Sequence, residues 1–459
     1  MPLHFLTIRK TLSKGTKSSE PLVRVRQTGS DWLVRDAWRE AVFGPAAPDW
    51  FALQEGPGVE CIKRGHSRSI WCVQLGDRVV YAKRLHRRGL RTVQDFFAGD
   101  PVQREWRALF EAQRRGIPVG EGLAVGAHKK PSPQSALLTR GALGMRTLSR
   151  ALRNRPKPTR TNRRRRGAMV RALAELYAVG HQRGFAHRDS HLSNVLIRVR
   201  SASRRHQESP DGGRAAHALF VDVHGSYFSN GHLGPERSAK SLAQLAFSCR
   251  HYVSRPDRLR FLRAYLDLRP ELVEPAEKKR FARGFWRVIE LAAGVHAERL
   301  ARHRDRRLSR SGKYFRRFSL GNGWTATVVL RLCVRGNPRT AAQKSWLPAQ
   351  WRQVLSALMR NLESDHDSTD EGGLFLLQPA VPRNPAERVR WTFGGSPHAQ
   401  TFRECHRLRH RDRTDDLILG VLEHRSYGLI DRTLLLRPAP QTTGQTEGSA
   451  ARERTLAHG

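Results

Sequence analysis

Apolar and polar positions change rhythm several times along the chain. Between Cys61 and Val73, and again from Asp77 to Lys83, they read as short strands, with a turn at Gly65–Arg68. From Val102 to Phe110 the rhythm becomes helical, with Trp106, Leu109 and Phe110 on one side, and Gly116-Ile117-Pro118 ends that helix. Leu123–Gly126 and Ser135–Thr139 predict two more strands, followed by a short link at Arg140-Gly141-Ala142. A longer helical stripe through Met169, Val170, Leu173, Leu176, Tyr177 and Val179 stops at Gly184. Val195-Leu196-Ile197 and Ala218–Val221 are short apolar runs separated by a polar, mobile excursion around Gly212-Gly213. Helices are then expected at Ala239–Val253, Pro256–Leu268 and Ala276–Arg302, the last with Phe281, Phe285, Ile289, Ala292 and Val295 as its core stripe. A strand-rich part with one helix followed by a mainly helical part predicts an α+β, two-lobed fold.

The two ends add less. Trp32, Leu33, Val34, Trp38, Ala41 and Val42 predict one amphipathic helix in an N-terminal extension, residues 1–56, with no assigned role. Near the other end, Phe402–Arg411, Leu417–Leu422 and Arg432–Leu436 repeat the helix, strand, strand order of residues 104–138, and Tyr314–Val334 reads as the matching hairpin. The expected division is therefore a small β-rich lobe at 57–140, a helical lobe at 141–304, and a disordered tail at 441–459. Residues 305–440 are either a degenerate second copy of the small lobe or an unrelated α+β region.

Composition sharpens this picture only in part. A length of 459 residues with 39% hydrophobic positions allows two or three domains with real cores. The net charge of +42, nearly all arginine, fits a polyanionic partner such as nucleic acid, anionic lipid or phosphorylated glycan, and fits equally a composition that favours Arg. Cys61, Cys72, Cys249, Cys333 and Cys405 are scattered without metal-ligand spacing, which points away from zinc and disulfides and toward a reducing compartment. Met1–Arg9 lacks the apolar core of a signal peptide, and no apolar run is long enough to span a bilayer, so a soluble or peripheral protein is expected.

The candidate chemistry lies at His187-Arg188-Asp189-Ser190-His191-Leu192-Ser193-Asn194 and, one strand later, Val221-Asp222-Val223-His224-Gly225. This is the layout of a kinase phosphoryl-transfer centre, H-R-D-x-x-x-x-N then D-x-G. In-line transfer needs a carboxylate near the attacking hydroxyl, the part of Asp189, and oxygen ligands for Mg²⁺, the part of Asn194 and Asp222. Upstream, Tyr81-Ala82-Lys83 places a Lys at a strand end where an ammonium would meet ATP phosphates, and Glu105 is spaced to pair with it. Gly65 is the one glycine in the turn that would cover the phosphates, and backbone around Thr139, Arg140 and Gly141 would meet adenine. Arg163–Arg166 is either a solvated helix start or a clamp for substrate phosphates. The segment after Gly225 is short and carries no A-P-E motif, which argues against a regulated protein kinase.

These residues resemble the lipopolysaccharide kinase (Kdo/WaaP) family of the protein-kinase-like superfamily. The resemblance rests on Tyr81-Ala82-Lys83-Arg84, Arg104-Glu105-Trp106, Arg115–Pro118, Ser135–Thr139, the two site motifs, and Arg237 with Lys240–Leu245. It implies a two-lobed protein-kinase-like fold and ATP- and Mg²⁺-dependent transfer to a heptose or Kdo hydroxyl at the cytoplasmic face of the inner membrane. The acceptor would be an anionic glycolipid or small hydroxyl compound; nucleic acid as a partner rests on charge alone. His191 matches what small-molecule kinases place two residues after the catalytic Asp. Ser241 stands where the family usually has a carboxylate bracing the catalytic loop, and Arg140 where an acid often precedes the hinge. The alternative is a pseudokinase or nucleotide-binding adaptor with a basic, polyanion-binding surface.

Overall fold

The structure is a computed structural model that describes residues 21–438, apart from 28, 66, 87–99, 129–133, 154–159, 200–215, 309, 313, 331–347, 364–374, 412 and 415. The expected excursion at 200–216 and the tail beyond 440 fall outside the described residues, except for Ala216. Two compact units divide between Ala293 and Gly294.

In the first unit, strands β1 (Leu22–Gln27), β2 (Ser30–Arg35), β3 (Val59–Arg64), β4 (Arg68–Leu75), β5 (Arg78–His86), β6 (Gly122–His128) and β7 (Gln134–Arg140) form one sheet in the order β1-β2-β6-β7-β5-β4-β3. The part expected from the sequence is β3 to β7. Residues 22–35, where the amphipathic helix was expected to begin, form an antiparallel hairpin that adds two strands beside β6. The reason is the period: Trp32 and Val34 enter one core while Leu33 enters the other, an alternation that only a strand satisfies. Only Asp36–Phe43 is helical, first as a 3₁₀ turn and then as a short α-helix.

The sheet is buried on both faces. Paired residues share a face, so Lys83 lies with Leu137 and Ala82 with Leu138. The Leu137 face belongs to the core that includes Val102, Trp106 and Leu109 of the Pro101–Arg114 helix; the Leu138 face packs on Trp32, Trp38, Val42, Trp50 and Leu53. Asp100 caps the helix, its carboxylate accepting from the Val102 N–H at 2.9 Å, and Pro101 takes the first position, where a missing N–H costs nothing.

The helical lobe follows through Leu148–Arg153, Arg160–Gln182, Pro235–Cys249, Arg255–Asp267 and Lys278–Asp305. Between them run β8 (Arg146–Thr147), β9 (Phe185–Ala186), β10 (Val195–Val199), β11 (Ala216–Phe220) and β12 (Tyr227–Phe228), paired as β11-β10-β8 and β12-β9. Gly184 ends the Arg160–Gln182 helix at φ +75°, and a Cβ there would collide with the Ser229 and Gly231 carbonyls, so the turn into β9 requires glycine. The two-lobed, β-then-α arrangement is the protein-kinase-like fold. Among the described residues no helix is long and apolar enough to cross a membrane.

The second unit holds β13 (Phe315–Gly321), β14 (Trp324–Val329), β15 (Phe375–Ala380), β16 (Gly420–Ser426) and β17 (Leu429–Pro438), in the order β13-β14-β16-β17-β15. That is the connectivity of β1-β2-β6-β7-β5 in the first sheet, antiparallel at every step. In each unit a 14-residue helix starting with proline, Pro101–Arg114 and Pro397–His410, precedes the last hairpin. Of the expected hairpin at 314–334, the described part forms β13 and β14, and β14 lies against β16 as β2 lies against β6. Among the described residues the second sheet contains no pair corresponding to β3 and β4.

Candidate active site

Elements of the first unit bring the separated motifs together. Lys83 Nζ sits 2.6 Å from Glu105 Oε2 and 2.8 Å from Asp222 Oδ1, joining β5, the Pro101–Arg114 helix and the segment after β11. Glu105 is buried, whereas Asp222 and Lys83 keep an opening toward solvent. Burial alone would discharge the ammonium, but two carboxylates overcome it and raise its pKa, so Lys83 is held as a cation. For Asp222, burial pushes upward, yet the His224 hydrogen bond and the Lys83 charge outweigh it and hold the carboxyl well below the usual range. Glu105 moves the other way: its burial raises the carboxyl more than the shared ammonium lowers it.

Asp222 is one of the described non-glycine residues at positive φ, +57°, a conformation kept at a cost of roughly 1–3 kcal/mol only where surroundings over-determine it. His224 supplies one such constraint, its Nδ1 lying 2.7 Å from Asp222 Oδ1, and the contact raises the imidazole pKa. The ligand atoms of Glu105, Asp222 and His224 lie within 4.8 Å of one another, but the Lys83 ammonium already contacts both carboxylates.

The loop that carries Asp189 is fixed from three sides. His187 is buried and kept neutral by that burial; its Nδ1 accepts from the Asp189 N–H at 3.1 Å and its Nε2–H donates to the Val221 carbonyl at 3.0 Å. This single imidazole therefore links the two motifs. Ser190 Oγ shares a hydrogen bond with the buried Tyr177 hydroxyl at 3.0 Å. The Ser190 N–H donates to Gln244 Oε1 at 3.0 Å. Asp189 itself remains exposed, with His191 Nε2 3.5 Å from its carboxylate.

Gln244 is the loop contact that sequence reasoning missed. Ser241 stands at the position of the bracing carboxylate, where a hydroxyl is the weaker brace; it is buried without a partner among the described residues, and the amide one helical turn later makes the contact to the loop instead. The detectable signal was spacing: positions three apart on the Pro235–Cys249 helix share a face.

Asn194 Nδ2 donates to the Asp189 carbonyl at 3.0 Å, which leaves its amide oxygen as a ligand, while the Asn194 carbonyl accepts from the Val221 N–H at 3.0 Å. Asp222 Oδ1 takes both Lys83 and His224, which leaves Oδ2. An amide oxygen and a carboxylate oxygen form a donor set that suits a hard cation such as Mg²⁺.

At the link between lobes, the Arg140 N–H donates to the Glu121 carbonyl at 2.9 Å and the Gly141 N–H to the Val79 carbonyl at 2.7 Å. Those two donors are committed. A Cβ on Gly141 would lie 2.7 Å from Val79 Cβ, so the position is closed to other residues without movement. The Arg140 side chain pairs with Glu121 at 3.2 Å, and Thr139 is half-buried beside it. Gly65 closes the β3–β4 turn, its N–H donating to the Arg68 carbonyl at 2.8 Å. In the basic run, Arg163 to Arg165 are exposed on the helix, while Arg166 is taken by the buried Asp257 at 2.6 Å.

The fold is protein-kinase-like, and the candidate site has the layout of that class. More narrowly, residues 50–265 match the model of the Lipopolysaccharide kinase (Kdo/WaaP) family, so the resemblance read from the motifs is shown over that stretch. A curated relative, lipopolysaccharide core heptose(I) kinase WaaP of Pseudomonas aeruginosa, is 27% identical over 171 residues, which cover 36% of this chain and 59% of the relative. Among solved structures, WaaP in complex with acyl carrier protein is 20% identical with a TM-score of 0.38, covering 56% of this chain and 99% of that one. The BubR1 kinase domain is 9% identical with a TM-score of 0.33, covering 63% and 95%.

Proposed function

We propose that this protein is an ATP- and Mg²⁺-dependent kinase that transfers the γ-phosphoryl group to a sugar hydroxyl of an envelope glycolipid, a heptose or Kdo of a lipopolysaccharide core. The observation that carries this reading is the Lys83 ammonium held between Glu105 and Asp222 at 2.6 and 2.8 Å, the preformed state of a phosphate-binding lysine. Lys83 would contact the ATP phosphates, with Glu105 fixing its direction. Asn194 and Asp222 would hold Mg²⁺, which when bound neutralises charge on the phosphate oxygens. Asp189, exposed on a loop braced by His187, Tyr177 and Gln244, would accept the proton of the attacking hydroxyl and align it. His191 would orient the Asp189 carboxylate from its 3.5 Å position. The β3–β4 turn at Gly65 would cover the phosphates, and hinge backbone from Thr139 to Gly141 would meet adenine through groups other than the two committed N–H donors.

An anionic acceptor is supported by charge beside the site. Burial together with the neighbouring Arg165 and Arg150 lowers the pKa of the Arg146 guanidinium, the signature of three cations gathered near the start of the helical lobe. Such an enzyme would work at the cytoplasmic face of the inner membrane, as a peripheral protein. The adaptor reading draws on the unpartnered Ser241 and on the single glycine of the β3–β4 turn; the Gln244 contact to Ser190 weighs against the first of these. Incubation of the purified protein with γ-labelled ATP, Mg²⁺ and a glycolipid extract tests the proposal: label in core sugar is expected, and nucleotide binding without transfer to any glycan would favour the adaptor.

A further inference from the structure

We infer that the second unit carries an anion-binding site of its own, built for a phosphate group borne on a small polar molecule such as a phosphorylated sugar. Between β13, β16 and the elbow joining the Pro385–Gly394 and Pro397–His410 helices lies a cavity of about 270 Å³. Phe315, Ala399, Phe402 and Val421 supply its apolar part, while Arg310, Arg316, Arg317, Arg403 and Arg425 line the rest. Glu423 is the one acid among the lining residues, and its carboxylate already accepts from Ser396 Oγ at 3.0 Å. None of the five arginines is ion-paired among the described residues.

Two of the lining residues carry buried donors without an acceptor. Trp391 is 4% exposed and lines it, yet its indole N–H has no partner among the described residues. Arg425 Nε is likewise buried without one, while another nitrogen of that guanidinium donates to the Gly428 carbonyl at 3.2 Å. Buried donors left unpaired are costly. The backbone also makes room for the cation: Gly395 sits at φ +88°, where a Cβ would collide with Arg403 Nη2. Guanidinium groups match phosphate oxygens in two-pronged geometry, and a ring could lie on the Phe315–Phe402 side.

Equilibrium dialysis of the full-length protein against labelled hexose 6-phosphate tests this, with a non-hydrolysable ATP analogue and Mg²⁺ saturating the first unit. Inorganic phosphate and vesicles containing a phosphomonoester lipid serve as parallel probes. One equivalent of hexose phosphate is expected to bind, more tightly than inorganic phosphate; tighter binding to the vesicles would identify the lipid-borne form as the source. Arg403→Ala combined with Arg425→Ala should weaken binding at least tenfold with nucleotide binding unchanged. Arg316→Ala with Arg317→Ala, on the edge strand, provides the second variant if the first does not fold. Binding undiminished in the folded variant, or no binding by the native protein to any of the three probes, would overturn the inference.

Discussion

Removing the Gln244 side chain is the perturbation whose size can be worked most directly from the structure. Ser190 is 1% exposed, and its N–H has Gln244 Oε1 as acceptor at 3.0 Å. Gln244→Ala leaves that donor buried and unpaired, a cost of about 1–3 kcal/mol, which if paid in the active loop corresponds to roughly 5- to 150-fold in rate. Two other ties survive, Tyr177 on Ser190 Oγ at 3.0 Å and His187 on the Asp189 N–H at 3.1 Å, so the loss should fall near the lower end, about tenfold. The assay is initial rate of phosphoryl transfer against ATP concentration. The turnover number should drop while the KM for ATP stays within about twofold, because Lys83, Glu105 and Asp222 are untouched. Gln244→Glu keeps an acceptor in place and should recover most of the rate. A folded Gln244→Ala enzyme with native turnover, or a loss expressed only in the KM for ATP, would refute the brace.

Other consequences can be checked alongside it. Lys83→Met should reduce turnover by about 10²-fold or more and weaken nucleotide binding, since it removes the phosphate contact and strands Glu105 and Asp222 beside each other; native ATP affinity by calorimetry would contradict this. Gly141→Val should destabilise the first unit by about 1–3 kcal/mol through overpacking against Val79, read as a lower urea midpoint. His181 is held neutral by burial and by the nearby Arg269, with its pKa pushed down to about 3. Its contribution to stability is therefore complete above the unfolded value near 6.5 and is lost as pH falls toward 3, by about 1.4 kcal/mol per pH unit in between. The melting temperature should fall between pH 6.5 and 5, and His181→Phe should flatten that fall.

Much of the site was legible because its chemistry is local in sequence. Asp189, Asn194 and Asp222 stand at motif spacing, and the structure adds His187 as the physical link between the two motifs. Lys83 and Glu105 were legible through strand alternation and helix phase, and the ion pair at 2.6 Å joins them. What escaped were features decided by tertiary partners. Trp32 to Val34 is as apolar as a helix face, and only pairing with β6 shows it to be a strand. Gln244 could not be chosen over Ser241 without knowing which side chain meets Ser190. For residues 305–440 the sequence left a repeat and an unrelated α+β region both open, because the pairing of β14 with β16 is a long-range contact that spacing does not encode.

The most direct test of the central claim is mass analysis of a core glycolipid after incubation with this protein, ATP and Mg²⁺, with Asp189→Ala run in parallel. A phosphate added to a core sugar by the native protein, and reduced by orders of magnitude in Asp189→Ala, is the predicted result. Equal phosphorylation by both proteins, or none by the native protein while it binds ATP, would contradict it.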